Sequence, residues 1–103
     1  MIKLIELKNL GTINQNKVII LTEKGRFDLY FSYETIVGIE YWVNDNEWHK
    51  QRVIKNYWST TTGKLLKKLE PDKDKRITKE RFMNELGEMF MFMNQLSIES
   101  KGK

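Results

Sequence analysis

Apolar and polar positions alternate with a period of two through the first half of the chain and change to helical spacing in the second. Ile2, Leu4 and Leu7 begin a strand pattern that Ile5 interrupts, and Gly11 with Asn14-Gln15-Asn16 breaks it. Val18 to Leu21 is a short β-branched run of the kind buried on both faces. Glu23-Lys24-Gly25-Arg26 supplies a turn, after which Phe27, Leu29 and Phe31 alternate with Asp28 and Tyr30, so these two runs predict a hairpin. Thr35 to Val43 and Trp48 to Ile54 predict a second hairpin around the turn cluster Asn44 to Glu47.

From Thr60 or Thr61 the spacing becomes helical. Leu65, Leu66 and Leu69 cluster on one side and Lys64, Lys67 and Lys68 on the other, and Pro71 stops this helix near Leu69. Asp72 to Arg76 reads as a charged connector. Thr78 is the expected N-cap of a final helix, with Ile77 and Phe82 placed to form a hydrophobic staple across it. Phe82, Leu86, Met89, Met93 and Leu96 mark one apolar seam, and residues 97–103 read as a frayed tail. Strands before helices predict an α+β fold: an antiparallel sheet of four or five strands from residues 2–55, with two helices, 61–69 and 79–96, packed on one face. A chain of 103 residues makes this a single domain over 1–103.

Composition narrows the setting. With no cysteine, disulfides and thiolate metal sites are excluded, and neither a signal-like N-terminus nor a membrane-length apolar stretch is present, so a cytoplasmic protein without an anchor is expected. The net charge of +4 is uneven: residues 57–82 hold eight Lys/Arg against four Asp/Glu, whereas residues 26–56 hold four against five. A lysine- and asparagine-rich composition also follows from an AT-rich genome, so total charge alone does not name a ligand.

Several motifs suggest chemistry and lack what it requires. Asp72 to Phe82 is similar to a shortened calcium loop, but the required glycine is missing and the position of the bidentate glutamate falls on Arg81. Gly63-Lys64 is similar to a phosphate-binding loop, but Trp58 stands where a glycine is needed and Leu65 where a hydroxyl is needed. His49 is the single histidine, which excludes histidine-pair metal sites; Ser32 or Ser59 with Asp45 or Glu47 could complete a triad around it, though no spacing selects them. A non-catalytic protein with no cofactor and no metal is the expectation.

Two binding surfaces stand out. The last helix carries Met83, Met89, Phe90, Met91, Phe92 and Met93 almost around its circumference, more than one sheet-facing stripe needs, which predicts a protein partner or self-association there. A helix sunk between the sheet and the first helix would account for the same residues. The alternative is a nucleic-acid or anion site on Ser59, Thr61, Thr62, Lys64, Lys67 and Lys68 at the first helix, with Trp48 and Trp58 for base stacking. A single hydroxyl is enough to cap that helix, so capping and anion binding both remain open.

Ser59, Thr61, Thr62 and Lys64 follow the pattern Ser-x-Thr-Thr-x-Lys, and Phe31-Ser32-Tyr33-Glu34-Thr35-Ile36-Val37-Gly38 precedes it. In these two segments the chain resembles a group of short, uncharacterised phage and mobile-element proteins, a domain of unknown function. In that group proline is common where Ile36 stands and histidine where Leu65 stands. The resemblance spans Phe27 to Leu69 and implies a viral or mobile-element setting. A small accessory protein that binds a macromolecule is therefore expected, first a component of a host defence or regulatory complex or a second copy, alternatively a nucleic acid.

Overall fold

The computed structural model describes residues 2–23, 25–43 and 48–101, with side chains through residue 94. Five strands, β1 (Ile2–Asn9), β2 (Gln15–Thr22), β3 (Gly25–Ser32), β4 (Thr35–Val43) and β5 (Trp48–Val53), pair with their chain neighbours in an antiparallel meander. Two helices follow, α1 (Thr60–Leu69) and α2 (Lys79–Lys101), linked through a 3₁₀ turn at Lys73–Lys75. The α+β class and the five-stranded sheet are as the sequence predicts. The Asn44 to Glu47 turn cluster lies outside the described residues, as does the side chain of Leu96. Helix α2 continues to Lys101, past the point at which a tail was expected.

Local chemistry explains two departures from the simple pattern. The break in alternation at Ile5 follows a register shift between Ile2 and Leu4, a bulge that resets which face each later residue takes. Gln15 and Asn16 belong to β2 instead of ending it. Gln15 is buried because its Nε2 donates to the Thr61 carbonyl of α1 at 3.0 Å, which satisfies the amide inside the fold.

Side-chain alternation along β5 locates the helices. Gln51 Nε2 donates to the Leu69 carbonyl of α1 at 2.9 Å, whereas its neighbours Lys50 and Arg52 pair with Glu85 of α2 at 2.8 and 3.2 Å. Adjacent strand residues point to opposite sides. The rest of the sheet agrees: a Cβ on Gly38 would meet Leu69 Cδ1 at 3.0 Å, while Tyr41, three residues on, lies against Phe92 of α2 at 6.4 Å between rings. Both helices pack on the sheet, one on each side, so the single shared face expected from sequence becomes two. Glycine at position 38 is what lets α1 come this close.

The core joins Phe27, Leu29, Val37, Ile39, Tyr41 and Val43 of the sheet to Phe82, Leu86, Met89 and Met93 of α2, with Leu65 and Leu66 of α1 in the same cluster. Each fully buried large side chain contributes roughly 1.5–3 kcal/mol. As expected, Thr78 caps α2 by accepting from Arg81 N at 3.3 Å, and Ile77 and Phe82 are both buried beside it.

The sheet is dressed unevenly. Beyond β5, Ile77 N donates to the Val53 carbonyl at 2.9 Å and Lys55 N donates to the Ile77 carbonyl at 2.8 Å, so a bridging segment covers the Val53–Lys55 end of that edge. At the other edge every residue of β1 is exposed except the half-buried Glu6.

Candidate functional site

The segment joining sheet to helices is built from side-chain hydrogen bonds. Asn56 Oδ1 accepts from Trp58 N at 2.9 Å, turning the chain, and Ser59 Oγ then accepts from Thr62 N at 3.5 Å as the N-cap of α1. Thr62 is buried, and its hydroxyl lies 2.8 Å from that of Ser32. The two motif segments noted in the sequence therefore meet in space, through this hydroxyl pair. Ser32, Tyr33, Thr35, Trp58, Ser59 and Thr62 line a small cleft of about 400 Å³ there. Ser59 and Thr62 are thus engaged in holding the fold, and Thr61 supplies its carbonyl to Gln15.

The end of α1 is closed by two donors that sequence reasoning missed. Its last carbonyls lack helical partners. Gln51 fills the Leu69 carbonyl, and Arg76 Nε donates to the Glu70 carbonyl at 2.9 Å from a buried position. Arg76 reads in the sequence as one more charge in a solvated connector, and no local signal distinguishes it from Lys73 or Lys75.

This closure shapes a basic groove. One cleft of about 560 Å³ runs between β5, the 3₁₀ turn and the start of α2, and a second of about 720 Å³ runs along α1. They share Lys55, Asp74 and Arg76 and so adjoin. Together they are lined by Arg52, Lys55, Lys64, Lys67, Lys73, Lys75, Arg76 and Arg81 against two acids, Glu70 and Asp74. Of those cations only Arg52 is held in an ion pair among the described residues. The local excess of six positive charges is larger than the net +4 of the entire chain.

The structure divides the remaining predicted site residues. Lys64 and Lys67 line the groove, whereas Lys68 is exposed outside its lining. Trp48, 42% exposed, lies on the α2 side, stacked on Phe92 at 5.4 Å and edge-on to Tyr41 at 5.3 Å, so the structure does not bring it together with the α1 residues. Trp58 remains 42% exposed, with Tyr57 edge-on at 5.9 Å. On α2, Met89 and Met93 are core residues, 0% and 8% exposed, and Phe92 is half-buried; these three leave the predicted partner surface. Met83, Phe90 and Met91 stay on it at 56%, 45% and 73% exposure. The division follows the sheet-facing seam: positions 82, 86, 89 and 93 turn inward with Glu85 beside them and Phe92 at their margin, whereas Met83, Phe90 and Met91 turn out.

No protein-family model, curated protein or solved structure matches the chain. Its site must therefore be read from its own side chains.

Away from the groove, two carboxylates of the sheet are held by side-chain partners. Asp28, fully buried, receives Arg26 Nε at 2.9 Å and Lys17 Nζ at 3.4 Å. Glu40 accepts from the Tyr30 hydroxyl at 3.3 Å and lies 2.8 Å from His49 Nε2, with the His49 ring stacked on Trp42. Burial, with the charges of Glu40 and Asp28, pushes the Tyr30 phenol up to about 12. Ser32 and Ser59, nominated as nucleophiles beside His49, are committed to Thr62, while Asp45 and Glu47 lie outside the described residues. Among the described residues no three His, Cys, Asp or Glu side chains converge as metal ligands, and no helix is long and apolar enough to cross a membrane.

Proposed function

We propose that the protein is a non-catalytic accessory protein, of phage or mobile-element type, that binds a nucleic-acid backbone in the groove between β5, α1 and the start of α2. The observation that carries this reading is the charge imbalance: eight cations, of which only Arg52 is ion-paired among the described residues, line two adjoining clefts against two acids, in a chain whose total is only +4. Lysine ammonium groups on flexible stems suit phosphates spaced along a strand, because each acts as a point charge without demanding a fixed geometry. The groove offers no aromatic platform among its lining residues, which supports backbone contact rather than base readout. Releasing counterions from four or five phosphates gives a slope of about −4 for log K against log salt on duplex DNA. Fluorescence anisotropy with labelled single- and double-stranded oligonucleotides across a salt series tests it. Binding that ignores salt, or that survives Lys64→Ala, Lys67→Ala and Lys73→Ala together, would sink the reading.

A protein partner is the second reading, supported by Met83, Phe90 and Met91 standing exposed on α2. Adaptable thioethers beside an aromatic ring suit such contacts. Capture of a host protein by the wild-type chain, lost on Phe90→Glu, supports it; capture that Phe90→Glu leaves intact contradicts it.

A further inference from the structure

We infer that β1 is the seam of a two-fold homodimer, in which two copies pair β1 against β1 into one continuous ten-stranded sheet. This surface is separate from the basic groove, and the inference does not depend on what the groove binds.

The edge is both open and apolar. Ile2, Leu4, Ile5 and Leu7 are 47%, 48%, 60% and 69% exposed, on a strand of eight residues. An unpaired strand of this kind is a template for another strand, which natural proteins cover or blunt. Backbone geometry says which groups are free. Leu10 N donates to the Gln15 carbonyl at 2.8 Å, so even-numbered positions of β1 bond inward to β2. By the alternation of antiparallel ladders, Ile5, Leu7 and Asn9 then direct their N–H and C=O groups outward.

Charge selects the register. A two-fold axis normal to the sheet brings residues of equal facing opposite each other, so the axis must pass through a single residue. Centred on Glu6, the pairing would oppose two glutamates; centred on Ile5, it would set Glu6 against Leu4. Centred on Leu7, it opposes Leu7 to Leu7 once and, twice each, Glu6 to Lys8, Ile5 to Asn9 and Leu4 to Leu10. Only that register sets opposite charges against each other; it also brings Leu7 to Leu7 and Leu4 to Leu10, with Ile5 against Asn9 as its one mismatched pair. It also extends an apolar row already present. Ile39, Leu29, Val18 and Leu7 stand opposite one another in successive strands, and the second copy continues this row through its own Leu7.

A seam of seven residues is smaller than the ~800 Å² per partner of a standard interface, so the dimer is expected to dissociate on dilution. Sedimentation velocity on the full chain tests it, reading mass against the 12.4 kDa of one copy. Wild type should give twice that mass at about 100 µM and move toward the single-chain mass near 1 µM, as a weak interface does. Leu7→Lys and Glu6→Lys should each leave a single-chain mass, and Glu6→Lys with Lys8→Glu should restore the dimer. Leu7 and Lys8 are exposed and Glu6 half-buried in one copy, and unchanged circular dichroism shows that the fold is kept. A single-chain mass for wild type at every concentration overturns the inference. So does a dimer that persists in Leu7→Lys, or one that Glu6→Lys with Lys8→Glu fails to restore.

Discussion

The two edges of the sheet meet the same physical problem and solve it differently. At β5 the last stretch of free backbone is bridged by Ile77, with a helix on each side of the strand and cations lining the groove beside it. At β1 it is left open, with leucine and isoleucine exposed on both faces. A covered, charged edge repels a second copy of itself and attracts polyanions, whereas an open apolar edge does the reverse. One small domain can therefore hold two surfaces with separate tasks, because their physics does not overlap.

Removing core packing should separate the two edges most. Phe82→Ala deletes a side chain that is 1% exposed between α2 and the sheet and should cost about 3–5 kcal/mol in urea unfolding. At the groove, the triple alanine change at Lys64, Lys67 and Lys73 should weaken oligonucleotide affinity about 100-fold at low salt and flatten the salt slope by about 2 to 3. Melting temperature should stay close to wild type, since these side chains are exposed. Thr62→Val keeps volume but strands the Ser32 hydroxyl in a buried site, an expected loss of about 1–3 kcal/mol by the same unfolding assay.

Glu85 gives a smaller, pH-dependent effect. Burial pushes its carboxyl up, but hydrogen bonds and charge from Lys50 and Arg52 outweigh burial and hold it below the ordinary value of 4.5. A depressed acid stabilises the fold above its unfolded value, and that contribution is lost as pH falls through the folded one. Stability measured from pH 7 downward should therefore fall below about pH 4.5 in wild type, and Glu85→Gln should remove this part of the acid dependence. At pH 7 the substitution should cost about 1–2 kcal/mol, because Lys50 and Arg52 retain some solvent contact. Least of all, Leu7→Ala should change single-chain stability by under about 0.5 kcal/mol, since little is packed on that side chain.

The sequence carried the elements well because their signals are local. Alternation in Phe27 to Phe31 and Thr35 to Val43, the Thr78 cap and the Phe82 seam all appear where periodicity and capping put them. It could not place the helices on the sheet, because that choice rests on contacts between distant residues: Gly38 with Leu69, Gln51 with the end of α1, and Glu85 with β5. The candidate site was legible in part. Lys64 and Lys67 were visible on one face of a short helix, but Lys55, Lys73 and Arg81 join them only through the fold. For Met89 and Met93 the apolar count was right and the direction unresolved, since a helix rich in methionine on every side does not announce which side is packed.

The contrast between the edges is tested most directly by backbone amide NMR of the wild-type chain during titration with a short duplex oligonucleotide at low salt. Shift changes should concentrate at Lys55, Lys64, Lys67, Lys73 and Arg81 and leave Ile5 to Asn9 unmoved. Changes centred on β1, with the groove silent, would contradict the account.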